Sequence, residues 1–245
     1  MCNLFRAGAV AEFEQALPLG LDGGLLLPEL GFVPTDAPLR ALLRQAGVTV
    51  LSARPTGLLD GFPLVLTHSA GRLACEVVVL AHPVGLDPVE SWFEERITPQ
   101  REQAVRLERP QTGPAITTQQ GYIRWRDDGE GGTLLTGCRW ATPTMALGER
   151  DLSVLEPRIH AKLDAFARDH LGTTATTDRW AWLGGRPCDG LPFVGPLPGT
   201  PRRVACVGFH DNPWGLGPAA GVAVARALLT GTSDLPADFA PSRMV

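Results

Sequence analysis

The sequence has almost no lysine. Lys162 is the only one among 22 basic residues, the rest being arginine, a bias we read as one of coding before one of function. Like charges come at most in adjacent pairs and the formal net charge is −4, which argues against a basic face of the kind that follows a nucleic-acid backbone. No apolar run approaches the roughly 20 residues of a membrane span. The opening stretch MCNLFRAGAVAEFEQALPLG is interrupted by Glu12 and Glu14 and makes a poor signal peptide, so the cytoplasm is the expected location. The five cysteines, Cys2, Cys75, Cys138, Cys188 and Cys206, are odd in number and never spaced C-x-x-C, which argues against a disulfide framework or a zinc site. His68, His82, His160 and His170 show no ligand spacing, and no metal is expected. There is no serine in a G-x-S-x-G setting, and Cys188 has no evident base beside it, which disfavours covalent hydrolysis.

What is present is an ordinary globular composition, 44% hydrophobic and 20% charged over 245 residues. That suffices for one large domain or two small ones. Apolar residues at 39, 42, 43 and 46 predict a helix over 36–47, with Thr35 or Asp36 as its cap and Gly47 as its stop. A short strand is expected at 48–52, a hairpin turning at Ser69–Gly71 within 62–82, and a strand buried on both faces at 76–81 (EVVVLA). Segments 97–110, 121–129 and 132–140 read as antiparallel strands, with DDGEGG as a turn between the last two. Residues 151–172 carry the longest helical stripe, ended by Gly172. The stretch 176–199 reads as turns and aromatics, 203–208 (RVACVG) as a strand and 217–230 as a helix. Parallel-type strands near both ends with an antiparallel insert imply an α/β (α+β) fold of two lobes, one of them discontinuous.

Gly215, Gly217 and Gly221 follow the strand RVACVG where a helical pattern begins. A dinucleotide fingerprint would need a tight turn and a second strand bearing an acidic residue, but the loop 209–217 is long and the sequence continues into TSDLPADFAPSRMV. A helix N-terminus still favours an anion or developing negative charge, and Pro218 suits a helix start. An edge of a reduced flavin would fit there, and so would a plain loop-to-helix joint packed on a core.

The stretch GGRPCDGLPFVGPLPG (184–199), followed by VGFHDNPWGLGPAAGVAVARALLTG and DLPADFAPSRMV, strongly resembles the C-terminal part of FAD-dependent amine oxidoreductases of the D-amino-acid oxidase superfamily. Glycine oxidase, D-amino-acid dehydrogenase and the oxidase half of a tRNA-modifying enzyme belong to that superfamily. GGLLLPELGFVPTDAPLRALLRQAGVTV is similar to its lead into the substrate lobe, and EVVVLA to the last parallel strand of its FAD domain. TPQREQAVRL is similar to its P-x-R-G-Q strand, with Glu102 where glycine is usual, and GYIRWRDDGEGGTLLTG resembles its central hairpin. The resemblance spans roughly residues 20–245. It implies a partial FAD-binding domain over 1–90, a substrate-binding antiparallel lobe over 91–199, and a return to the FAD domain over 200–245.

The family's G-x-G-x-x-G turn and ribose-binding acid are not found in these residues. Three expectations stand open: a truncated coding region, a second polypeptide that completes the FAD domain, or loss of FAD binding. Each of the three implies a chain that is colourless when purified alone. An amine oxidase with bound FAD, a non-catalytic subunit awaiting a partner, and a tRNA-modifying oxidase half are the functional readings. The small-molecule partner of the first is an amine or amino acid.

By the resemblance, Arg186 pairs with a substrate carboxylate, a role suited to a planar donor fork. Its plain alternative is a turn salt bridge to Asp189. Tyr122, the only tyrosine, would assist or simply be a half-buried side chain with a wet hydroxyl. Trp180 and Trp182 read as core, Trp182 also lying where the family has a pocket-edge tryptophan. Gly208, Phe209, His210, Pro213, Trp214, Gly215, Leu216 and Gly217 map onto the flavin-facing loop, although Trp214 is equally a candidate core anchor. His210 beside Asp211 reads as a loop hydrogen-bonder more readily than as a catalyst. Ala81 and His82, followed by Pro83 where the family usually has a glycine loop, would lie by the cofactor backbone.

Overall fold

A computed structural model describes residues 6–8, 24–26, 37–82, 84, 89–111, 113–145, 147–210 and 213–245. In chain order the strands are β1 (Arg6–Gly8), β2 (Gly24–Leu26), β3 (Pro55–Leu59), β4 (Leu64–His68), β5 (Gly71–Cys75), β6 (Val78–Leu80), β7 (Ile97–Leu107), β8 (Ile116–Thr118), β9 (Ile123–Asp127), β10 (Thr133–Gly137), β11 (Thr176–Pro187), β12 (Phe193–Leu197) and β13 (Thr200–Val207). The helices are α1 (Ala37–Gln45), α2 (Pro157–Leu171) and α3 (Pro213–Thr230). The chain divides into two compact units, Met1–Val48 with Glu102–Ala146 and Asp151–Trp182, and Thr49–Arg101 with Leu147–Arg150 and Leu183–Val245. The mixed α/β class expected from the sequence is the one found.

The first unit holds most of a five-stranded sheet of order β11-β7-β10-β9-β8. β10 pairs antiparallel with both β7 and β9, placing Leu135 opposite Val105 and Trp125. Strand alternation therefore gives Val105, Leu107, Ile123, Trp125 and Leu135 to one face. Ile159, Leu163, Phe166 and Leu171 of α2 pack in the same core. The Trp125 and Phe166 rings lie 5.3 Å apart.

The helix pattern anticipated from 151 starts only at Pro157. A proline disfavours helical backbone in the residue before it, and Glu156 is extended there, its side chain accepting from the Arg158 N–H as the cap. Residues 151–153 form a turn in which the Asp151 carboxylate accepts from the N–H and hydroxyl of Ser153. Gly172, at φ 65°, ends the helix as expected. The stretch read as turns and aromatics from 176 is instead the twelve-residue β11 followed by a turn and β12. Its threonines and tryptophans favour extended backbone.

In the second unit the two parallel-type strands anticipated near either end of the sequence pair with each other. β13 runs parallel to β6, with Arg203, Val204 and Ala205 opposite Val78, Val79 and Leu80, and antiparallel to β12. Alternation along β13 feeds two cores. Val204 and Cys206 join Val194 and meet Ala220 and Val224 of α3, while Ala205 and Val207 join Leu80, Phe93 and Phe193 on the other side. Among the described residues β6 is the outer strand of this sheet, and it is not buried on both faces as anticipated, since Val79 is 44% exposed. β3, β4 and β5 form a separate antiparallel meander whose β4–β5 turn falls at Ser69–Ala70. The strand expected at 48–52 does not form. It has no pairing partner among the described residues, and Val48, Val50 and Leu51 are exposed.

Candidate active site

In an open α/β sheet the ligand crevice lies outside the carboxyl ends of parallel strands. Here that edge is where Ala81 and His82 leave β6 and where Gly208, Phe209 and His210 leave β13. Helix α3 follows at Pro213, not at residue 217 as its sequence pattern indicated. Trp214, Gly215, Leu216 and Gly217 thus belong to the start of the helix, and the connection between strand and helix is short. Pro213, with its fixed φ and no N–H, is the residue that suits a helix start, whereas Pro218 sits inside the helix. The first turn carries no acidic side chain, and Pro213, Trp214 and Gly215 are exposed. Trp214 is therefore not a core anchor. Asp211, Asn212, Pro83 and Gly85 lie outside the described residues, as does the cap expected at Thr35 or Asp36.

Two glycines do different work at this edge. Gly208 has φ +83°, and a Cβ there would sit 2.6 Å from Pro187 Cγ and 3.6 Å from Pro192 Cα. It is the point at which the loop leaving β13 closes on the turn that follows Arg186. A Cβ on Gly217 would meet nothing within 4 Å, so a flat ligand can approach the backbone there. His210 takes φ 43°, left-handed backbone unusual outside glycine.

Arg186 ends β11 with its side chain exposed, and among the described residues it has no carboxylate partner. The alternative, a turn salt bridge to Asp189, is not made, because Asp189 pairs with Arg243. Arg243 Nε lies 2.7 Å from Asp189 Oδ2 and Nη2 lies 3.1 Å from Oδ1, a two-pronged pair. The same guanidinium donates to the carbonyls of Leu191 (2.7 Å), Pro192 (3.1 Å) and Ala240 (3.3 Å), and lies 4.0 Å over the Phe193 ring. These hydrogen bonds from Arg243, helped by the N–H of Leu191, hold the Asp189 carboxyl below the usual carboxylate range against the effect of burial. The sequence reading gave Arg243 no role. Its nearest signal was the ending PSRM, which follows an apolar stretch.

In the first unit, Tyr122 is 46% exposed and stands at the head of the β9–β10 hairpin. Its backbone is fixed on both sides. Its N–H donates to Gln119 O and its carbonyl accepts from Cys138 N–H at 2.9 Å. A Cβ on Gly137 would lie 2.0 Å from Tyr122 O, so only glycine allows β10 to approach so closely. Gln119, Gly121, Gly137 and Cys138 all have positive φ, a concentration of uncommon backbone of the kind found where a side chain must be held in place. Trp180 and Trp182 are not core residues. Each is 37% exposed, and they share one face of β11, while Arg179 on the other face pairs with Asp164 at 2.7 Å. Among the described residues no three metal-binding side chains cluster, and no helix is long and apolar enough to cross a membrane.

The sequence matches the family described as DAO, FAD dependent oxidoreductase, over residues 3–227. The chain belongs to that family. No curated protein matches it. Among solved structures, this DAO-family chain is similar to glycine oxidase from Geobacillus kaustophilus, with 17% identity, a TM-score of 0.73, and coverage of 98% of this chain and 67% of that one. Glycine oxidase from Bacillus cereus ATCC 14579 gives 17% identity, a TM-score of 0.77, and coverage of 94% and 67%. L-proline dehydrogenase from P. horikoshii gives 16% identity, a TM-score of 0.70, and coverage of 98% and 68%. At such identities the likeness is one of fold.

FAD is the cofactor of the family, and the carboxyl edge of β6 and β13 suits its isoalloxazine end. It combines a helix whose first turn carries no acidic side chain with open space beside Gly217. A positive dipole end opposite an electron-rich ring edge is electrostatically favourable. The 245 residues contain no G-x-G-x-x-G turn for the pyrophosphate.

Proposed function

We propose that this chain serves an FAD-dependent oxidation of the C–N bond of an amino acid or secondary amine, with Arg186 holding the substrate carboxylate. The observation that carries the reading is that Asp189, the acid nearest to Arg186 in sequence, is occupied by Arg243. The Arg186 fork is thereby left for an external carboxylate, a geometry in which two parallel N–H···O bonds fix orientation as well as affinity. When bound, FAD supplies the acceptor for a hydride taken from the carbon next to nitrogen. The residues of the chain bind and orient. Ala81, His82 and the residues that leave β13 into the start of α3 hold the ring. The N-terminus of α3 favours the negative charge the ring gains on reduction. The named activities of the similar structures, glycine oxidase and proline dehydrogenase among them, support a substrate that carries both an amine and a carboxylate.

The test compares an amino acid with the amine that lacks its carboxylate. Replacing Arg186 by alanine should weaken carboxylate binding by roughly 10- to 150-fold, the worth of about 1.5–3 kcal/mol for a charged hydrogen bond, and leave the bare amine unaffected. Equal loss for both compounds, or none for either, rejects the assignment. A second reading has another polypeptide carrying the pyrophosphate site. It is favoured by β6 lying at the edge of its sheet and by the exposure of Val79, Val222 and Leu229. Light scattering coupled to gel filtration tests it, since a purely monomeric chain would contradict the need for such cover.

A further inference from the structure

We infer that Arg243 is a positioning residue for the carboxylate site, acting through the turn that follows Arg186. The inference rests on the reading of Arg186 given above. The turn from Pro187 to Phe193 has few contacts of its own. Gly190 N–H donates to Pro187 O at 3.1 Å, and Asp189 Oδ1 accepts from Leu191 N–H at 3.1 Å. On one side, among the described residues, it is pinned by the bond from Cys188 N–H to Arg96 O at 2.9 Å.

On the other side Arg243 grips it at four atoms: both Asp189 oxygens and the carbonyls of Leu191 and Pro192. The guanidinium plane rests on the Phe193 ring, and that ring is fully buried. A further bond to Ala240 O ties the grip to the Arg243 backbone's own segment. This use of the guanidinium is one a lysine cannot reproduce, because it needs a rigid planar fork that serves several acceptors at once.

The turn has two neighbours that matter to function. Arg186 directly precedes it in the chain, and the Pro187 ring is the surface against which Gly208 packs, with no room for a side chain. Arg243 therefore sets both the carboxylate-binding end of β11 and the origin of the loop leading to α3. It is not among the residues proposed to hold the substrate or the flavin. Its effect is to hold the same turn in register with two parts of the site.

The experiment uses the full chain with FAD added, titrated with acetate and with acetamide and followed by two-dimensional amide and arginine Nε–H NMR spectra. Backbone amide exchange is measured on the same samples. Arg243→Gln and Asp189→Asn should each weaken acetate binding by roughly tenfold, the scale of a misplaced binding group, with acetamide unchanged. Both should speed exchange at Cys188–Leu191 and at Gly208–Phe209 but not in α2. Arg179→Gln, which breaks a pair in the first unit, serves as the control for general destabilisation. Millimolar ethylguanidinium should restore acetate binding to Arg243→Ala. Should Arg243→Gln fail to fold, Arg243→Lys keeps the charge and loses the fork, and the same losses are expected of it.

Wild-type exchange at Gly208 in a folded Arg243 variant overturns the inference, as does wild-type acetate binding. If instead Arg186→Gln leaves acetate binding intact, the carboxylate reading fails. The exchange measurements then still decide whether Arg243 holds the turn.

Discussion

Gly208 and Gly217 lie nine positions apart in the segment proposed to face the flavin, and replacing each by alanine should move stability in opposite directions. At Gly208 a Cβ meets Pro187 Cγ at 2.6 Å with φ at +83°. The backbone conformation alone costs an L-residue about 1–2 kcal/mol. Forcing the proline ring aside adds roughly 1–3 kcal/mol, the usual penalty of overpacking. The sum, about 2–5 kcal/mol, corresponds to a fall in Tm of roughly 4–20 °C at 2–4 °C per kcal/mol for a chain of this size. At Gly217 the added methyl meets nothing within 4 Å, in a helix. Glycine is there about 0.5–1 kcal/mol worse than alanine, so Tm should rise by a few degrees. Thermal unfolding followed by circular dichroism reads both. A Gly208→Ala chain that melts within 2 °C of wild type would refute the packing argument. A Gly217→Ala chain that melts lower would mean that the space beside the helix is filled.

Other outcomes can be checked in the same preparations. Asp189 has its pKa lowered in the folded chain, chiefly by the hydrogen bond from Arg243. It therefore contributes stability that is complete above its unfolded value of about 3.9 and is lost as pH falls through the lower folded value. Asp189→Asn should flatten the acid limb of the Tm-against-pH curve below about pH 4, and an unchanged slope would show that the pair is not coupled to folding. Burial pushes the Cys138 thiol up to about 11 despite the nearby Lys162, while Cys188 is exposed. Iodoacetamide at mildly alkaline pH should label Cys188 and spare Cys138, as read by peptide mass spectrometry, and rapid labelling of Cys138 would contradict its burial.

Periodicity carried much of the fold. The α1 stripe, the β4–β5 hairpin, and β9 and β10 around DDGEGG follow from local pattern and turn residues, whereas the parallel pairing of β6 with β13 follows from the family resemblance. The errors have local physical causes. Pro157 and Pro213 set helix starts that the apolar pattern placed elsewhere, six residues late for α2 and four residues early for α3. Segment 48–52 has strand composition and no ladder to join. The glycines and tryptophans of 176–187 look like turn and core residues, yet form one strand with its indoles half out.

At the candidate site, the sequence singled out Arg186 and the residues that follow the strand at 203–208, but it could not decide whether Arg186 would pair with Asp189. That choice depends on Arg243, 54 residues away. Sequence spacing carries no information about such a pair. Tyr122 was singled out by rarity, while the positive-φ residues that hold it became visible only in the backbone.

The parallel pairing of β6 and β13 also bears on how the chain is made. Leu80 finds its partner Ala205 only after about 125 further residues are synthesised, roughly 6–25 s at ordinary translation rates. For that interval the apolar strand has neither a ladder nor the cover of Phe193 and Val207. Non-local parallel pairing is slow to nucleate and exposed to aggregation meanwhile. Yield in cells should therefore follow chaperone capacity and growth temperature more closely than the stability of the finished fold.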